Sequence, residues 1–201
     1  DFLGLVMTMG DANACSSPRG IGTYASFQPP TGPGIRRFPY TPDMGTNPFT
    51  YGDTNDTTQT VPHGVGSVWA TALWDLTCNL VGEQGFDGFA NLGNGNGGNT
   101  VALQLVSDGL KLQPCSPGMI DARNAILAAD LAAYGGAHTC LIWETFARRG
   151  FGFSASQGSS ASRGDQVEAF DMPASCPAAG DVIFRDGFEI GDSSRWSDEV
   201  P

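Results

Sequence analysis

The chain is predicted to be mainly α. Five stretches carry apolar residues at the 3–4 spacing of a helix with one buried face. Several of these close on helix-ending residues such as Gly10, Gly135-Gly136 and Gly150, and strand-like patches are short, as at Ile21–Phe27. In residues 1–9, Phe2, Leu5, Val6 and Met9 share one face and Gly10 ends the run. Residues 10–62 are dense in Gly, Pro, Asn, Asp and Thr. So long an irregular segment inside a compact domain usually serves a functional loop region. Next, Val65, Val68, Trp69, Ala72, Leu73, Leu76 and Leu80 mark the buried stripe of a long helix, followed by a Gly/Asn-rich connector over 83–98. A helix over about 100–112 stops before Pro114. Ser116-Pro117 then reads as an N-cap with proline at the first helical position of a helix that buries Ile120, Ile126, Leu127 and Leu131 and stops at Gly135-Gly136. The last helix, 137–149, ends on Arg148-Arg149-Gly150, cations at the negative end of the dipole and a glycine to turn the chain out.

The 201 residues are 40% hydrophobic and only 15% charged, with 28 glycines and 13 prolines, enough for one domain with a core plus trailing loop-rich segments. A net charge of −11 argues against nucleic acid as a partner, because phosphate binding needs clustered Lys and Arg. No stretch approaches the roughly 20 apolar residues that span a bilayer, so no membrane partner is expected. Cys15, Cys78, Cys115, Cys140 and Cys176 form no C-x-x-C pair, which disfavours a zinc ribbon, and their spread suggests an oxidising compartment. The opening Asp-Phe-Leu-Gly-Leu-Val-Met-Thr-Met lacks an initiating Met and reads as the middle of a helix. The chain is therefore expected to be a piece whose N-terminal portion lies elsewhere, and the missing leader says nothing about secretion. Three regions are expected: a folded part at 1–152, a Ser/Gly/Ala-rich strip or linker at 153–179, and an acidic and aromatic tail at 180–201. The tail resembles short segments at the ends of some secreted bacterial proteins.

His63 stands at the entrance of the long helix, in Val61-Pro62-His63-Gly64-Val65-Gly66. Alone it reads as a capping or packing residue. Its company is more specific: Gly34-Ile35-Arg36-Arg37-Phe38-Pro39-Tyr40 precedes it, and Leu112-Gln113-Pro114-Cys115, Ile120-Asp121-Ala122-Arg123-Asn124 and the close Cys140-Leu141-Ile142-Trp143 to Phe146-Ala147-Arg148-Arg149-Gly150 follow it. This ordered set, from about Asp1 to Gly152, resembles the C-terminal half of the catalytic domain in the fungalysin family of secreted zinc metallopeptidases, thermolysin-like enzymes. The resemblance implies a helical C-terminal subdomain with a long irregular loop region and a short tail. It also implies a fragment of a secreted, extracellular, zinc-dependent metalloendopeptidase acting on protein or peptide substrates. The missing N-terminal catalytic segment and an inhibitory propeptide would be its partners.

Zinc hydrolysis in such enzymes draws two histidines and a general-base Glu from H-E-x-x-H. That motif is absent, and His63 and His138 lie 75 positions apart. The chain begins, by the resemblance, at the Asp closing a Gly-Glu-Gly-Trp-Ser-Asp stretch whose Glu is the third ligand. No metal ligand is thus expected in this chain, and the chain alone is expected to be inactive. Asp1 would accept a hydrogen bond from a zinc-ligand histidine, against the plainer reading of a terminal acid. His63 would donate to the oxyanion of the tetrahedral intermediate. Arg36 would hold the carbonyl of the substrate residue beside the cut bond, with Arg37 a competing candidate and a surface arginine the plain reading. Tyr40, Asp43 and Asn47 would shape the same loop.

Other candidates are weaker. His138 reads as a surface or capping residue. Gly93 to Gly98 fits G-x-G-x-x-G but joins two helices instead of following a strand. Asp53, Asn55 and Asp56 offer calcium hard oxygens but lack the EF-hand glycine and final Glu, so a solvated turn is preferred. Asn55-Asp56-Thr57 is a glycosylation sequon. Cys115 and Cys140 flank the third long helix and are the preferred disulfide, against two buried thiols. A rival reading makes the chain a non-catalytic extracellular helical module or an inactive peptidase relative, with Trp69, Trp74 and Trp143 as contact residues; their apolar faces favour core.

Overall fold

The computed structural model describes residues 1–88 and 95–176. Within them lie helices α1 (Phe2–Met7), α2 (His63–Gln84), α3 (Gly98–Leu112), α4 (Met119–Tyr134) and α5 (Thr139–Arg148), with short 3-10 turns at Ala12–Cys15, Thr23–Ser26 and Tyr51–Asn55. The described residues hold no sheet, only isolated bridges such as Arg19 with Tyr40 and Phe151 with Ala169. The mainly α expectation is met. The tail at 180–201 and the front of the Gly93–Gly98 motif fall outside the described residues.

Helix α2 is the axis. It packs against α1, α3 and α5 and is buried almost around its circumference, from Ser67 to Val81. One core joins Leu76 and Leu80 of α2 to Leu105, Ile126, Ile142 and Phe146, with Phe151 beyond α5. A second joins Leu5 and Met9 to Tyr40, Trp74 and Cys78. Each fully buried Leu or Ile contributes about 1.5–3 kcal/mol by leaving water. The two helices α2 and α3 approach so closely that a Cβ at Gly98 would overlap the backbone of Leu80. Only glycine fits there.

The structure departs from the sequence reading in several places. The patch at 21–27 makes one bridge at Ile21 and then a 3-10 turn. Helix α4 starts at Met119, not at Ser116-Pro117: Ser116 is left-handed (φ 53°), and Asp121 accepts from the Gly118 N–H at 3.0 Å, which fixes the start. Leu131 is 67% exposed; it lies about 140° around the helix from buried Ile126, on the far side from α3. Cys140 pairs with Cys176 and Cys15 with Cys78, while Cys115 is the free, exposed thiol. The expected Cys115–Cys140 bond is therefore wrong. Cys115 sits in the turn before α4 and Cys140 at the opposite end of that helix, so helix length keeps them apart. Residues 151–176 lie against the helical body, bridging Phe151 to Ala169 and Ser156 to Val167 before the Cys176 bond.

Candidate functional site

His63 is the first residue of α2, exposed at the helix mouth. The turn before it places it: Thr60 accepts the Gly64 N–H on its carbonyl at 2.8 Å and on its hydroxyl at 3.1 Å. The two bonds share one donor, the Gly64 N–H, which a helix start would otherwise leave unpaired. In front of His63 lies a hollow of about 420 Å³ whose walls include Arg36, Arg37, Gln59, Thr60, His63 and Ser67. The two residues singled out for substrate chemistry, His63 and Arg36, thus share one cavity although 27 positions separate them in the sequence. A second hollow, about 320 Å³, lies across the first turns of α2, walled by Val65, Trp69, Leu110 and Met119; it contains neither residue.

Arg36 is clamped. Its Nε and Nη2 donate to the two oxygens of Asp1 at 2.6 and 2.9 Å, and the Tyr40 hydroxyl donates to the same carboxylate at 2.6 Å. The side chains of Arg36 and Asp1 are only 15% and 13% exposed, so this is a well-shielded, bidentate pair. Burial pushes the Tyr40 hydroxyl up to about 12, against the pull of Arg36, so it stays a proton donor at neutral pH. A guanidinium has five N–H donors and a carboxylate about four acceptor positions. Arg36 therefore keeps three N–H groups for other partners, and Asp1 keeps about one acceptor. Arg37 pairs with Asp56 at 3.2 Å, but its side chain is 53% exposed and the bond contributes little.

What holds the Arg36 loop is a pair the sequence reading missed. Arg149 and Asp75 are both essentially buried, with Arg149 Nε 2.6 Å from the carboxylate. The remaining Arg149 donors reach the carbonyls of Asn47 (2.6 Å), Phe49 (3.0 Å) and Thr41 (3.0 Å). Asn47 in turn donates to the Pro39 carbonyl at 2.9 Å and to Thr71 of α2 at 3.2 Å. Burial raises the Asp75 carboxyl above its ordinary range, opposed by the hydrogen bonds and charge of Arg149. Arg149 is thus a buried anchor for residues 41–49, not a solvated cation at a helix end. The available signal was Asp75 itself, an acid inside the apolar run Leu73-Trp74-Asp75-Leu76.

His138 stands at the N-cap position of α5, the capping half of its expected reading, but its side chain is buried and not on the surface: its Nδ1 lies 2.7 Å from Asp130, and Tyr134 packs edge-on against its ring. Asp53 accepts the Thr50 N–H at 2.8 Å, and Asp56 binds Thr58 and Arg37, so the 53–56 carboxylates are committed to the turn. Asn55 donates to the Gln166 carbonyl at 2.8 Å and accepts the Gln166 N–H at 3.3 Å, so its sequon amide is engaged. Trp74 is fully buried, Trp69 stacks on Phe146 at 5.4 Å, and Trp143 lies under the Arg123 guanidinium at 4.5 Å. Among the described residues no group of three His, Cys, Asp or Glu side chains converges on one point.

With this geometry in place, comparison with known proteins identifies the lineage. The family described as Fungalysin metallopeptidase (M36) matches residues 1–155. Extracellular metalloproteinase 2 of Trichophyton tonsurans is 40% identical over 148 residues, 71% of this chain and 22% of that protein. The protein of the same name from Arthroderma gypseum is 36% identical over 181 residues, 88% of this chain and 27% of that protein. Extracellular metalloproteinase MEP of Fusarium vanettenii is 36% identical over 178 residues, 86% and 26% of the two chains. This chain spans about a quarter of the length of the curated relatives it matches. It belongs to the fungalysin metallopeptidase family, M36.

Proposed function

We propose that this chain is the C-terminal part of the catalytic domain of a secreted, zinc-dependent endopeptidase that cleaves protein or peptide substrates. The observation that carries the proposal is the shared hollow of His63 and Arg36 in a chain of this family. On this proposal the zinc ligands belong to the part of the relatives' length that this chain does not cover, and the chain alone is expected to hydrolyse no peptide even with zinc added; among the described residues no side-chain cluster fits a zinc centre. Its contribution is one wall of the cleft. His63 donates a hydrogen bond to the oxygen that gains charge as water adds to the scissile carbonyl. Arg36 presents its three remaining N–H groups to the neighbouring carbonyl. Asp1 offers its last acceptor position to a metal-ligand histidine, fixing the tautomer of that ring. A propeptide that inhibits the enzyme would occupy the same hollow.

The Arg36–Asp1 pair links substrate grip to metal support, and that coupling is testable. Arg36→Lys keeps the charge but loses the planar two-point clamp. In the full-length protein it is expected to raise KM about tenfold and to weaken zinc retention about tenfold at the same time. Peptide kinetics together with zinc content after dialysis check this. A KM effect with zinc untouched would separate Asp1 from the metal; no effect on either would remove Arg36 from the site.

A further inference from the structure

His63 stands on a weakly supported turn. Continuous burial in α2 begins at Ser67, and the turn before it, His63–Gly66, carries two glycines with little helix propensity of their own. The position of His63 therefore depends on the segment that leads into α2. Thr60 is tied to the helix through its carbonyl, which accepts the Gly64 and Val65 N–H groups at 2.8 and 3.1 Å. Just before it, the Gln59 N–H donates to the Asp56 carbonyl at 3.0 Å and closes a turn. That turn is held from far along the chain. Glu168 accepts from the Thr50 hydroxyl at 2.6 Å and from the Gly52 N–H at 2.8 Å. Gln166 exchanges two hydrogen bonds with Asn55. Arg163 donates to the Asp56 and Gln59 carbonyls at 2.6 and 2.9 Å. The contacts step back from Glu168 to Arg163 as the loop advances from Thr50 to Gln59, and Arg163 is the last of them before His63. Its two terminal nitrogens take one carbonyl each, so one planar group fixes both ends of the turn. The Arg37–Asp56 pair on the same turn is half exposed and adds little. The family match ends at residue 155, so Arg163 lies beyond it.

We infer that Arg163 is a positioning residue for His63, acting through the turn at residues 56–60. The inference rests on reading His63 as the donor to the oxyanion. Such a donor must reach about 2.7–3.1 Å from the oxygen that gains charge, and a misplacement of about 1 Å can cost as much as 10²-fold. Without the guanidinium the two carbonyls turn to water, the turn samples other arrangements, and the imidazole spends less time in place. The loss falls on kcat, because His63 meets that charge only in the transition state.

The test is a double-variant cycle in the full-length protein with a peptide substrate, read well below the thermal midpoint of every variant. Arg163→Ala is expected to lower kcat about tenfold with zinc content unchanged. In protein that already carries His63→Ala, the same substitution should cost no more than about twofold. Arg163→Lys, run in parallel, keeps the charge but reaches one carbonyl at a time; it should lose about threefold, again only while His63 is present. A residue that merely stabilises the fold would cost the same in both backgrounds. Unchanged kcat in Arg163→Ala overturns the inference, as does a loss repeated in full without His63. His63→Ala is also the control: full turnover in that variant means the cleft reading itself has failed, whereas lost turnover there with an additive Arg163 effect rejects Arg163 alone.

Discussion

His63→Ala in the full-length protein is expected to lower kcat about 10²–10³-fold, the usual cost of deleting one oxyanion donor. KM should move little, because the charge that His63 meets exists only in the transition state. The reasons are local. His63 opens α2 at an exposed position, Thr60 caps the turn that carries it, and it lines a hollow shared with Arg36. Zinc content and thermal midpoint should match the wild type, since the imidazole supports no core contact. Steady-state kinetics with metal analysis decide it. Parallel loss of zinc would make His63 a ligand; unchanged turnover would return it to a helix-entrance residue with no part in chemistry.

The second large effect is on stability. Asp75→Ala in the full-length protein is expected to cost about 3–5 kcal/mol, because it leaves the Arg149 guanidinium buried and unpaired. The carboxylate's own attraction is not the source of that number. Burial raises the Asp75 pKa in the folded state, so its ionised form gains nothing net on folding. By linkage, a raised carboxyl favours the folded state most at acid pH, and that advantage is lost as pH rises through the folded value. Asp75 is accordingly not a source of acid unfolding. Replacing both partners, Asp75→Leu with Arg149→Met, should recover much of the loss at the core. The carbonyls of Thr41, Asn47 and Phe49 would still lose their donor. The double variant should therefore fold yet show weaker substrate binding through a looser Arg36 loop. Urea unfolding of both variants, with KM for a peptide substrate, measures this. A single-variant cost below about 1 kcal/mol would mean the pair does not anchor residues 41–49.

The helices were legible because their signal is local. Phe2, Leu5, Val6 and Met9 are all buried as their spacing requires, and the α2 stripe from Val68 to Leu80 lies in the core. Leu131 misled because periodicity locates a face only to within a residue or two, and α4 turns that side to water. The start of α4 misled because the Asp121 carboxylate, bonded to the Gly118 N–H, outcompetes the Ser116-Pro117 signal just ahead of it. Long-range pairings were not legible. Cys140 has partners of equal merit in sequence, and only the return of residues 151–176 along the helices brings Cys176 to it. Likewise, nothing near Arg149 in sequence indicates that it reaches Asp75, 74 positions away. For the candidate site, the motif carrying Arg36 and the helix mouth carrying His63 could be named separately. Their shared hollow, the Asp1–Arg36–Tyr40 clamp and the hold of Arg163 on the turn before His63 needed coordinates, because each depends on how residues 10–62 fold over the helices.

The central claim is that His63 and Arg36 address one peptide across one hollow. A crystal structure of the full-length protein with a peptide phosphonamidate, a tetrahedral mimic of the hydrated scissile bond, tests it most directly. The expected result is a ring nitrogen of His63 within hydrogen-bond distance of a phosphonyl oxygen and the Arg36 guanidinium on the adjacent carbonyl. An inhibitor bound with either side chain turned away from it, or seated outside this hollow, would contradict the claim.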